Sequence, residues 1–345
     1  MKHLQFPGLF DDHFIFEKLN KLNDPLEKLD KYIDWRIFDK ALKDCFKDGV
    51  KDKTKGGRPP YDRLMLFKSC ILQSLYNLSD EQLEFQIVDR ASFKRFLGLR
   101  KSDRVPDSRT FWLFRESLIE KKAIGALFVC FNEQLDSMGI LANEGKMVDA
   151  SFVEVPRQRN TREENKDIKD NKVPSWSDNK LAQKDTDARW TKKNNATFYG
   201  YKNHIKADTK SKIIVDYVVT DASVHDSQVL SELLKETDSG QEFYADSAYT
   251  GEKANNVYEQ NKVIIKVNEK GYKNKPLTEA QKAGNKEKSK VRARVEHIFG
   301  FIENSMNGSF IRTIGMERAK AKIGLMNMVY NICRCAQLKK VVLMG

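Results

Sequence analysis

The hydrophobic rhythm of this chain changes once, just after Gly145, and that change restricts its architecture more than any single motif. Before it, apolar residues recur at helical spacing. "YDRLMLFKSCILQSLYNLSDEQLEFQIVDRASFKRFLGL" reads as helices broken at Asn77-Leu78-Ser79, with Ser79 and Gln82 as a capping box for the next helix. "VPDSRTFWLFRESLIEKKAIGALFVCFNEQLDSMG" continues as helix, capped by Asp107 or Ser108 and ending near Gly139. Short helices with interspersed Arg and Lys suit a helix-turn-helix DNA reader and a plain helical bundle equally well.

After Gly145 the period falls to two. "MVDASFVEV" is apolar on both faces apart from Asp149, as an interior strand is. "NHIKAD" and "KIIVDYVVTDAS" alternate around the turn "TKSK", with Ile205, Ala207, Ile213, Val215, Tyr217 and Val219 on one face. Asp226 then caps a helix carrying Val229, Leu230, Leu233 and Leu234. "EFYADSAY" is the next strand, "KANNVYEQN" a helix, and "VIIKV" a short fifth strand. This order predicts an α/β layer with a mixed sheet. The expected division is an all-helical N-terminal domain over 1–140, an α/β domain over 141–310 and a closing helix within 311–345. Residues 156–198 read as a polar insertion, mostly solvated loop. Within it Trp190, beside Arg189 and near Lys192, either stacks on a base or pins the loop to the core.

A formal charge of +12 points to a polyanionic partner, and nucleic acid is the usual one. The charge gathers in "KGYKNKPLTEAQKAGNKEKSKVRAR", residues 270–294, a solvated loop or a phosphate-binding strap. No apolar run approaches a membrane span, and the first residues lack a secretory pattern, so a cytoplasmic address is expected. The five cysteines show no zinc spacing.

Three acids stand out by position. Asp149 lies inside the first strand, Asp246 ends the fourth, and Glu296 lies on a helix whose buried stripe is Val291, Val295, Ile298, Phe299, Ile302 and Met306. Arg292, Glu296 and Glu303 share the edge of that stripe. Three hard oxygen ligands suit Mg or Mn rather than zinc, and two such ions support phosphodiester chemistry. Among 49 acidic residues a triple arises readily by chance, so placement on strand, strand and helix gives this one its weight.

The blocks "GRPPYDRLMLFKSCILQSLYNLSDEQLEFQIVDRASFKRFLGL", "VPDSRTF", "MVDASFVEVP", "DARWTKKNNATFYGYKNHIKAD", "VTDASVHDSQ", "YADSAYTG" and "RARVEHIFG" together resemble bacterial insertion-sequence transposases of the insertion-sequence-five type. The resemblance runs from about residue 55 to 335. It implies a ribonuclease-H-like fold with an acidic DDE triad on Asp149, Asp246 and Glu296. It also implies binding of double-stranded DNA at element ends and target, action as a homo-oligomer, and a nucleoid-associated place of work. One departure is plain. Relatives often carry Tyr, Arg, Glu and Lys around the last acid; here Arg292 and Glu296 fit, but Ser289 and Glu303 replace the Tyr and the Lys. Positioning of DNA then falls to Lys288, Lys290, Arg292 and Arg294. A nuclease on the same fold, or a protein that only binds DNA, are the alternatives.

Overall fold

The computed structural model describes residues 11–46, 60–155, 158–172, 176–193, 195–272 and 275–342. The first ten residues, and residues 57–59 that open the first family block, lie outside the described residues. Packing divides the chain into two units, Met1–Phe131 with Cys335–Gly345, and Asn132–Arg334.

Caps set the helix boundaries in the first unit. Asp24, Asp62, Ser79 and Asp107 each accept a backbone N–H from the first turn of a helix, and Ser79 forms the full capping box with Gln82. The helices are α1 (Asp11–Lys21), α2 (Pro25–Tyr32), α3 (Ile37–Phe46), α4 (Arg63–Leu75), α5 (Asp80–Asp89), α6 (Ala91–Leu97), α7 (Ser108–Glu120) and α8 (Ala123–Ser137). Aromatic contacts centre their core. The Phe38 ring lies 4.9 Å from Phe67 and 5.8 Å from Phe131, and Trp35 meets Phe96 edge-on.

The second unit is built on a six-stranded sheet: β1 (Gly145–Glu154), β2 (Arg189–Lys193), β3 (Ala196–Asp208), β4 (Ile214–Asp221), β5 (Glu242–Tyr244) and β6 (Ile264–Ile265). β3 is long enough to pair with β2 along its first half and with β4 along its second. On its other edge it runs antiparallel to β1, beyond which β5 and β6 lie parallel to β1. The order β4-β3-β1-β5-β6 is the ribonuclease-H-like arrangement, with β1 at its centre. The β3–β4 turn is held by Asp208, whose Oδ1 accepts from the Lys210 and Ser211 amides and the Ser211 hydroxyl.

One face of β1 carries Val148 into a cluster with Val229, Leu230, Leu233, Phe243, Tyr249 and Tyr258. The apolar stripe expected after Asp226 is buried there, on a 3₁₀ turn (Asp226–Val229) followed by one α turn, α11 (Leu230–Leu233). α12 (Glu252–Gln260) completes that layer.

Three expectations need correction. The strand read from "EFYADSAY" ends at Tyr244, because Asp246 turns to cap a 3₁₀ turn over Ser247–Tyr249. The helix read through Glu296 is not uniform. It runs as α13 (Glu279–Arg292), a 3₁₀ turn (Ala293–Val295), α14 (Glu296–Gly300) and a π turn (Phe301–Ser305), ahead of the last helix α15 (Met316–Val342). The insertion is not mainly solvated loop either. It holds α9 (Arg162–Lys169), α10 (Asp178–Leu181) and β2 around a buried acid, Asp185. Asp185 accepts from the amides of Asp187, Ala188 and Gly315 and from the Tyr201 hydroxyl. A buried acid with that many donors organises a fold rather than binding a ligand.

Candidate active site

Two of the three acids come together through sheet register. β1 and β5 pair as Gly145↔Glu242, Lys146↔Phe243 and Met147↔Tyr244. Two residues beyond the last of these pairs stand Asp149, still within β1, and Asp246, past the end of β5, close enough for their charges to interact. Asp149 is 8 % exposed. Its Oδ1 accepts from the Ala150 amide, and its Oδ2 is ion-paired with Nη1 of Arg292. Asp246 Oδ1 accepts from the Ala248 amide at 2.8 Å, so the residue both ends its strand and caps the next turn.

Burial raises the Asp149 carboxyl to about 6; Arg292 opposes the rise and Asp246 adds to it. The arrangement is thus two converging carboxylates in a half-closed place, with one guanidinium offsetting them. That donor set fits a hard divalent cation. Among the described residues, however, no three acids, histidines or cysteines gather closely enough to hold a metal.

Glu296 stays exposed, one helical turn beyond Arg292. Further along the same edge, Glu303 Oε1 accepts from Ser151 Oγ at 2.8 Å, in the π turn. Ser151 follows Asp149 by two residues and so lies on the same face of β1. The edge carrying Glu296 is therefore in contact with β1 on either side of it, through Arg292 and Glu303.

The expected basic residues hold local partners. Lys288 Nζ donates to the Val267 carbonyl at 3.0 Å, Lys290 pairs with Glu287, and Arg294 donates to the Thr209 carbonyl. Trp190 is pinned: its indole N–H donates to the Asn160 carbonyl at 2.7 Å and its ring lies 4.9 Å from Tyr199. His225 caps the turn at Ser227.

The sequence reading missed the layer beneath. Lys202, His204 and Lys206 alternate on β3 and resemble a solvent face, yet all three are buried. Lys202 bonds Asp226 at 2.9 Å and Lys206 bonds Asp238 at 2.6 Å. The Tyr249 hydroxyl is buried without a hydrogen-bond partner among the described residues. Burial keeps it protonated, reinforced by Asp226, Asp149 and Asp246. The signal available was "VHDS" beside an alternating Lys-x-x-x-Lys, which alone cannot separate a paired interior from a wet face.

Residues 143–332 match a family model described as the transposase DDE domain. The chain belongs to the DDE transposases. Residues 14–117 match a second model, described as a transposase domain, so both halves of the chain carry the same reading. The transposase is also similar to a piggyBac transposase solved by cryo-EM as a synaptic complex with hairpin DNA. That likeness has 10 % identity and a TM-score of 0.45, over 95 % of this chain and 78 % of the other. It is too distant to carry residue roles across. Family membership makes this a DNA-cutting and joining enzyme that depends on divalent metal. No helix among the described residues is long and apolar enough to cross a membrane.

Proposed function

We propose that Asp149, Asp246 and Glu296 are the catalytic and metal-holding residues of this transposase, with Mg (or Mn) as a pair of ions. The observation that carries the proposal is the nearness of Asp149, inside β1, to Asp246, just past the end of β5, with the helical segment that bears Glu296 anchored to β1 through Arg292. Glu296 lies four residues from Arg292 on an exposed rim, and in this reading it turns inward to join the aspartates when metal and DNA bind. When bound, the ions activate a water or a 3′-hydroxyl and stabilise the leaving 3′-oxygen.

The chain's own groups do the rest. Asp149 and Asp246, fixed by backbone amides, orient the charge at the sheet centre. Lys288, Lys290, Arg292 and Arg294 lie at the end of α13, where they meet phosphates of the bound duplex. Trp190 stiffens the insertion that carries it. Residues 1–140 read the element's terminal inverted repeats, 141–310 cut and join, and 311–345 supply the closing helix. The protein acts as a homo-oligomer in the cytoplasm, on nucleoid DNA.

The test is incubation of the protein, and of Asp246→Asn, with DNA carrying the gene's native flanks, in Mg or in chelator. Boundary cuts and joined products that need both Mg and Asp246 support the proposal. Unselective cutting without joining would make the protein a nuclease, and binding without Mg-dependent cutting a DNA-binding protein only.

A further inference from the structure

We infer that Arg292 is an internal counter-ion that keeps divalent metal off Asp149 until a DNA phosphate draws it away. Metal loading then depends on DNA. The inference rests on the assignment of Asp149 as a metal ligand and adds how access to that ligand is controlled.

Both oxygens of Asp149 are engaged within the fold, Oδ1 by the Ala150 amide and Oδ2 by Arg292. A divalent ion on Oδ2 would sit against a guanidinium in a place largely closed to water. Like charges at that range repel strongly, so the two cations exclude each other. The guanidinium is also incompletely satisfied, because its Nε is buried with no hydrogen-bond partner among the described residues. It is a one-edged pair rather than a two-pronged clamp, and a poorly completed contact is one that a better anion can take over.

A phosphodiester is that anion. Its oxygens match the guanidinium fork, and Arg292 stands at the end of a helix whose last turns carry Lys288 and Lys290. The neighbouring acid gives little competition. Glu296 is exposed, and a solvated Arg–Glu pair one turn apart is weak. Among the described residues the buried face thus offers Arg292 Asp149 as its anion, and the open face offers DNA. Since the phosphate removes what blocks the carboxylate, DNA and metal bind with positive and reciprocal coupling. Without DNA, the same contact leaves the protein poorly metallated and chemically quiet.

The test measures metal binding rather than activity. The full chain is titrated with Mn²⁺, free Mn²⁺ being read by electron paramagnetic resonance, alone and with a short DNA duplex. In the wild type, DNA raises Mn²⁺ affinity by about tenfold or more. Arg292→Gln raises the DNA-free affinity by a similar factor and loses most of the DNA effect. Arg292→Lys keeps a cation there and stays nearer the wild type. Lys282→Gln, an equal loss of charge elsewhere on α13, leaves Mn²⁺ affinity as it was. Equal Mn²⁺ affinity of the wild type with and without DNA overturns the inference, whatever the variants do. So does a folded Arg292→Gln whose DNA-free affinity is unchanged. If Asp149→Asn binds Mn²⁺ like the wild type even on DNA, the metal site itself is wrongly assigned and the inference falls with it.

Discussion

Asp149 inside β1, and Asp246 just past the end of its parallel neighbour β5, are each held by a backbone amide on the carboxylate. Two of the three sides of the site are therefore fixed by the backbone.

That rigidity separates chemistry from structure at Asp246. Asn caps a turn nearly as well as Asp, so Asp246→Asn should keep its bond from Ala248 and melt like the wild type. Cutting should still fall by about 10²–10³-fold. Asp246→Ala should show the same catalytic loss and about 1 kcal/mol lower stability. Paired nicking assays and thermal melts check both arms. A stable Asp246→Asn with full cutting would remove this residue from the chemistry.

The basic end of α13 makes a different prediction. Lys290 is exposed and paired with Glu287. Lys290→Ala should weaken DNA binding about evenly across sequences and flatten the plot of log affinity against log salt by about 1. Lys288→Ala should do the same and also free the Val267 carbonyl that it holds. Faster amide exchange around Val267 would report that second effect.

His204 sets a pH dependence. It is fully buried, its Nε2 lies 2.9 Å from Thr220 Oγ1, and its Nδ1 has no hydrogen bond among the described residues. Burial lowers its pKa from 6.5 to about 4, with Lys202 acting in the same direction and Asp226 against it. The unfolded chain thus takes up the proton first. The contribution of His204 is complete above pH 6.5, is lost as pH falls toward 4, and changes no further below that. The loss is about 3 kcal/mol. Denaturation of the wild type and of His204→Gln across that window should show the wild type losing more, and parallel curves would refute the assignment.

Gly200 tests the centre of the sheet. It sits at φ +152°, and a Cβ there would lie 2.3 Å from the Val153 carbonyl oxygen. Gly200→Ala must push β1 from β3 and should cost at least about 1–3 kcal/mol. A variant that melted with the wild type would show that the strands can yield.

What the sequence disclosed follows from how far each interaction reaches. Asp149 and Asp246 stood out as candidates because one lies inside the first strand and the other just after a strand that pairs with it. Arg292 and Glu303 both reach β1 because the overwound 3₁₀ turn at Ala293–Val295 and the underwound π turn at Phe301–Ser305 act in opposite directions, whereas Glu296 follows the first turn alone and stands exposed. The ion pair of Arg292 with Asp149 spans 143 residues and leaves no local trace. The insertion misled because its composition is polar, whereas Asp185 finds partners in Tyr201 and Gly315 that no window on the insertion contains.

The Asp185–Gly315 bond also has a consequence in time. The acceptor is synthesised 130 residues before its donor. At roughly 5–20 residues per second, the ribosome makes Asp185 wait on the order of ten seconds for that amide. Met316, whose amide bonds Asp187, arrives equally late. The nascent insertion is thus finished only when the start of α15 emerges, and the newborn chain passes through an interval in which its central acid lacks its last partner. A truncated transcript that stops before Gly315 would leave the insertion in that unfinished state permanently.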